Sequence, residues 1–115
     1  MNTDYSNKIA TLLNDVRPKL HVVHKLEFRN CFGAVAGYVD GHIFISCGKF
    51  GVALRLPRET LGKLFQETDV LHLKYFPKGH IKKEYAVIPK RILDDRGRFE
   101  EFLEQSIQYA LSSVS

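Results

Sequence analysis

Apolar residues recur at Ile9, Leu12, Leu13, Val16 and Leu20, the i, i+3, i+4, i+7, i+11 spacing that lays one stripe along a helix. Asp4 or Ser6 caps its start. Pro18 has no N–H to donate and biases Arg17 away from helical angles, so the regular helix ends near Val16. Residues 19–30 read as a basic connector with a short strand at Leu26–Phe28. From Cys31 the period becomes two. Cys31–Val39 and His42–Cys47 flank Asp40-Gly41, a pair suited to the positive-φ positions of a hairpin turn. A tight turn sets Val39 opposite His42, Tyr38 opposite Ile43, Ala36 opposite Ile45 and Ala34 opposite Cys47. A second turn at Gly48-Lys49-Phe50-Gly51 leads into Val52–Leu56, where Val52, Leu54 and Leu56 share one side and Ala53 and Arg55 the other. The result is a three-stranded antiparallel meander.

Pro57 suits the first turn of a helix that runs to about Glu67, with Leu61, Leu64 and Phe65 as its stripe. Val70–Phe76 reads as a strand broken by Pro77-Lys78-Gly79, and Glu84–Ile88 as the next, ended by Pro89. Pro89–Asp94 makes a helical turn. Asp95 then caps a final helix whose Phe99, Phe102, Leu103, Ser106, Ile107, Ala110 and Leu111 line one face. The order α-β(3)-α-β(2)-α predicts an α+β fold of two layers, one antiparallel sheet with helices packed on it. Residues 1–115 are expected to form one domain, since a chain of 115 residues builds one core and is too short for two.

Composition changes this picture little. Hydrophobic residues make up 44%, enough for unaided folding, and 17 Lys and Arg against 13 Asp and Glu leave a net charge of +4. That mild excess permits weak attraction to nucleic acid without arguing for it. The N-terminus has no basic stretch and no apolar h-region, and no window approaches the roughly 18 apolar residues of a membrane-spanning helix. Cys31 and Cys47 make no disulfide framework. A cytoplasmic protein with reduced thiols is expected.

Phe32-Gly33 leads into Val39-Asp40-Gly41-His42-Ile43-Phe44, and Gly51-Val52-Ala53-Leu54-Arg55-Leu56-Pro57 follows as a strand exit. Phe76-Pro77-Lys78-Gly79, Tyr85-Ala86-Val87-Ile88-Pro89 and the Ser106-to-Ala110 helix come in turn. In this order and spacing, over roughly residues 5–112, the chain resembles the N-terminal domain of the TfoX/Sxy competence-regulator family. The resemblance implies a secretion-chaperone-like fold, a non-catalytic regulatory role through protein–protein contacts at promoters, and no catalytic residues or cofactors. Longer members carry a second, helical C-terminal domain; this sequence stops where that domain would begin, so a stand-alone member is expected.

The strongest charge feature is 74–91, with Lys74, Lys78, His80, Lys82, Lys83, Lys90 and Arg91 against Glu84 alone. Its plain reading is a solvated loop whose lysines keep strand edges from aggregating. Its functional reading is direct binding of nucleic acid, or of an acidic protein surface. Tyr75, Phe76 and Tyr85 beside it alternate like core residues rather than base-stacking platforms. Arg55 is either an ordinary outward strand residue or an interface group able to grip carboxylates. The candidate binding residues are therefore Arg55, Lys78, His80, Lys82 and Lys83.

Other constellations favour structural readings. His21 and His24 lack further ligands for a metal, and His42 and His72 lie in strands. Unbroken alternation puts Cys31 and Cys47 on opposite faces, which argues for buried thiols over a disulfide. Gly48-Lys49-Phe50-Gly51 leads into a strand and lacks the phosphate-loop pattern. Glu100 and Glu104 fall on a polar helix face, in water. A small-ligand pocket has no motif behind it. The sheet must leave edges, and an unprotected edge predicts a homodimer. The leading expectation is a binding domain with a protein partner.

Overall fold

The computed structural model describes residues 3–113. The first stripe forms α1 (Thr3–Val16), with Ile9, Leu13 and Val16 buried. Past Pro18 the stretch read as a connector holds one helical turn, α2 (Leu20–Val23), anchored by the buried Leu20. β1 (Leu26–Cys31) and β2 (Ala34–Val39) follow. The run from Cys31 to Val39 is thus not one strand. Phe32 and Gly33 stand at φ 50° and 81°, the same two-residue turn that Asp40 and Gly41 make at 49° and 85°. The first turn carries the short strand expected at Leu26–Phe28 on to Cys31 and pairs it with β2, so β1, β2, β3 (His42–Gly48) and β4 (Gly51–Arg55) make a four-stranded meander in place of three.

A bulge corrects the expected register of the second hairpin. Val39 faces His42 and Tyr38 faces Ile43 as expected, but Gly37 faces Ile45 and Val35 faces Cys47. Phe44 is the extra residue. The insertion resets the alternation, so the consecutive Phe44 and Ile45 both enter one core, each fully buried. Gly37 permits this, because a Cβ there would lie 2.6 Å from Ile45 Cγ2. β3 meets β4 only from Ile45 onward, opposite Leu54. The bulged Phe44 carbonyl receives a 2.7 Å bond from Ser106 Oγ instead.

Pro57 caps α3 (Arg58–Leu64), which is shorter than its expected reach to Glu67. β5 (Leu71–Leu73) is also shorter than the reading from Val70 to Phe76, because the register shifts between His72 and Leu73. β6 (Lys82–Ile88) begins two residues earlier than expected. Pro89 opens α4 (Lys90–Leu93). Asp95 caps α5 (Arg96–Ser112), its carboxylate accepting from the Arg98 N–H at 3.2 Å.

The six strands form an antiparallel sheet in the order β1-β2-β3-β4-β6-β5. One face carries the helices: Ile9, Leu13, Leu61, Leu64, Ile92, Phe99, Leu103 and Ile107 pack with Val35, Phe44, Ile45, Leu54, Leu56 and Ile88 in a single core. Each fully buried side chain of this size contributes roughly 1.5–3 kcal/mol. The opposite face has a smaller cluster of Ala53, Leu73 and Val87, with Phe50, Tyr75 and Tyr85 packed around it. No helix among the described residues is long and apolar enough to cross a membrane.

Candidate binding face of the sheet

The helix-free face is built by alternation. Val52 and Leu54 point to the helices, so Ala53 points away; Ala86 and Ile88 do likewise on β6, leaving Tyr85 and Val87 on the open side. The loop after β5 lays Tyr75 across this face. Its hydroxyl stands 3.2 Å from Ser46 Oγ, and burial pushes its pKa up to about 12. The Arg29 guanidinium lies 4.5 Å over the Tyr38 ring, and the Lys82 ammonium 5.9 Å over the Tyr75 ring.

At the end nearest the Phe32-Gly33 turn, rings gather. Phe32 packs on Tyr75 and on Phe76 at 5.5 Å each, and Phe50 meets Tyr75 edge-on at 5.8 Å. Between them is a groove of about 400 Å³, lined by Phe32, Ala34, Lys49, Phe50, Tyr75 and Phe76. Phe32 is 65% exposed and Phe76 54%. The expectation that Tyr75, Phe76 and Tyr85 are all core residues therefore holds for two of them; Phe76 faces water. Phe32 is the less expected of the pair. A bulky side chain at φ 50° sits in the left-handed region that ordinary L-residues avoid.

The basic run of the sequence is divided in two. Lys90 pairs with Asp94 at 2.7 Å, and Arg91 grips Asp69 at 2.6 Å and Glu67 at 2.8 Å. Arg98 adds a second clamp on Glu67 at 2.7 Å. Arg98, then Arg91, holds the Glu67 carboxyl down at about 2. Lys74, Lys78, Lys82 and Lys83, with Lys49 across the groove, are exposed and have no ion pair among the described residues. His80 is exposed in the same loop.

Arg55 stands apart from these lysines. Its side chain is 15% exposed and faces Glu84 at 3.4 Å. It also donates to the Ile43 carbonyl at 3.4 Å, in the stretch of β3 that has left β4, and lies 5.0 Å over the Tyr109 ring. The Tyr109 hydroxyl donates to Glu84 at 2.6 Å, and this bond, then Arg55, lowers the Glu84 pKa. The group ties α5 to the sheet. Beside it is an open concavity of about 460 Å³ that Tyr38, His42, Ile43 and Tyr85 help to line. The charge of Arg55 there is already met by Glu84.

The remaining candidates are placed as follows. His24 Nδ1 lies 2.6 Å from Asp40 Oδ2, and His72 stacks on Phe65 at 4.1 Å. His21 is exposed on α2. Cys47 is buried in the main core, where burial pushes its thiol pKa up, while Cys31 is half-buried beside Tyr75 on the other face. Both are free thiols. Glu100 is exposed, but Glu104 is not simply solvated: it pairs with Arg17, just past α1, and accepts from Gln108 at 3.1 Å.

The one signal in the sequence for the ring cluster was Phe32-Gly33, where the turn residue lies inside an apolar run. Residues 19–110 match the family model described as the TfoX N-terminal domain. Neither the comparison with curated proteins nor that with solved structures gives a match.

Proposed function

The chain belongs to the TfoX N-terminal domain family, and from that premise we propose that residues 1–115 act as one non-catalytic regulatory domain in the cytoplasm, working through protein contacts. Its partner on this reading is a protein carrying an acidic segment with apolar side chains. The observation that supports it most is the pair of exposed rings, Phe32 and Phe76, at a groove that Lys49 helps to line, with Lys82 over Tyr75. Lys74, Lys78 and Lys83 are exposed in the adjoining chain, and none of the five lysines has a carboxylate partner among the described residues. Solvated lysines need no carboxylate, but exposed rings set among them form a surface complementary to acidic and apolar groups together. Lys78, Lys82 and Lys83 are its charged contacts, with His80 in the same loop. Arg55 braces the sheet beneath and takes no direct part. A homodimer belongs to the same reading, since the sheet leaves one edge unguarded.

A second reading uses the same surface. Rings beside lysines also suit single-stranded nucleic acid, with bases stacked on Phe32 and Phe76. A pull-down from native lysate, with and without nuclease, separates the two. The comparator carries Lys78→Glu, Lys82→Glu and Lys83→Glu. A defined protein retained after nuclease by the wild type, and lost by the variant, supports the protein partner. Nucleic acid retained by the wild type alone, with affinity falling steeply as salt rises, replaces that reading with the second.

A further inference from the structure

The two edges of the sheet are unlike. β5 is 3 residues long, shifts register at His72 and runs on toward Pro77, features that keep an edge from pairing. β1 is 6 residues long, pairs with β2 in unbroken register and contains no proline. The ladder shows which of its groups face outward. The Asp40 N–H donates to the Lys25 carbonyl at 2.9 Å, and a two-residue turn joins Cys31 to Ala34. Alternation then directs the N–H and C=O of Glu27, Arg29 and Cys31 to β2. Those of Leu26, Phe28 and Asn30 point away from the sheet.

We infer that β1 is a self-association edge, at which two copies of this chain pair antiparallel about Phe28 to make one continuous sheet. The inference rests on the homodimer reading and specifies its register. Phe28 meets Phe28 of the second copy, and Leu26 meets Asn30 on either side. The outward groups of these residues form roughly six hydrogen bonds, because each such pair exchanges two. Glu27 then faces Arg29 of the second copy in the closer, non-hydrogen-bonded positions, twice by symmetry. Centring on Leu26 or Asn30 instead leaves half the strand beyond its end. Phe28 and Leu26 are half-buried on the helix side, where a groove of about 270 Å³ opens between them and α1. The Phe28 ring of the second copy covers it. A two-fold axis normal to the sheet keeps both helix-free faces on the same side, so the dimer offers two lysine-rich surfaces to one partner.

Charge reversal tests the register, with one complication: Glu27 and Arg29 also pair within the chain at 2.7 Å. A double reversal restores both contacts and decides nothing, whereas mixing two single variants does. Glu27→Arg makes both positions positive and Arg29→Glu makes both negative, so each variant repels itself while the two complement each other. Molar mass is measured by analytical ultracentrifugation across concentration, with thermal unfolding confirming that each variant folds. The wild type is expected to dimerise, each single variant to dissociate at least about ten-fold more readily, and the equimolar mixture to recover heterodimer. Single variants that dimerise as the wild type does, or a mixture that stays monomeric, overturn the β1 register while leaving a homodimer standing. A wild type that is monomeric at high concentration overturns both.

Discussion

Phe32 holds a bulky side chain in a backbone conformation that asparagine or glycine fills at less cost. The left-handed region costs an ordinary L-residue roughly 1–2 kcal/mol, and a ring pair returns about 0.5–1.5 kcal/mol. The two contacts, with Tyr75 and with Phe76, together return about 1–3 kcal/mol, the same order as the strain, and the ring is still 65% exposed. A side chain that adds so little to stability is better explained by what it presents. Phe32→Asn is therefore expected to leave stability within about 1 kcal/mol of the wild type by urea denaturation, while binding at the helix-free face weakens. A larger loss of stability would show that the ring belongs to the packing and is not a presented contact.

At the scale of elements, the bulge in β3 accounts for more of the architecture than any other local feature. It turns both Phe44 and Ile45 into the core and removes the Phe44 carbonyl from the strand ladder. Ser106, fully buried in the middle of α5, answers that carbonyl. Ser106→Ala leaves the carbonyl buried without its partner and is expected to cost about 1–3 kcal/mol in urea denaturation. A cost under about 0.5 kcal/mol would show that the carbonyl finds another donor. The sequence carried Ser106 as one more member of an apolar stripe, because its partner is 62 residues away. The limit is general in this fold. Asp40-Gly41, Pro57 and Asp95 announce their turn and caps through local chemistry, and those elements were legible. The Phe32-Gly33 turn was hidden because phenylalanine in a β-rich run reads as strand. The bulge was hidden because its cause is a contact between Gly37 and Ile45 across two strands. The candidate face was legible as a run of positive charge. Its division into neutralised and free parts was not, since Asp69 and Glu67 reach Arg91 from 22 and 24 residues away.

Over the whole molecule, a set of ion pairs ties the helices to one another. Arg17 past α1 meets Glu104 of α5, and Glu67 after α3 is held by Arg98 of α5 and Arg91 of α4. Acid should therefore weaken these ties. Glu67 has the clearest sign, because its pKa falls from the ordinary 4.5 to about 2 on folding. A carboxylate lowered in this way contributes its full stability above pH 4.5, and loses it as the pH falls toward 2. Asp69 and Glu84 shift the same way, through Arg91 and through Tyr109 with Arg55, so the wild-type curve sums several groups. Glu67→Gln isolates one of them: the variant is expected to be less stable than the wild type at neutral pH, and the gap to close between pH 4.5 and 2. Urea denaturation at a series of pH values measures that gap. Parallel curves through the window would mean that the two arginines hold Glu67 no more tightly in the folded chain than solvent does in the unfolded one.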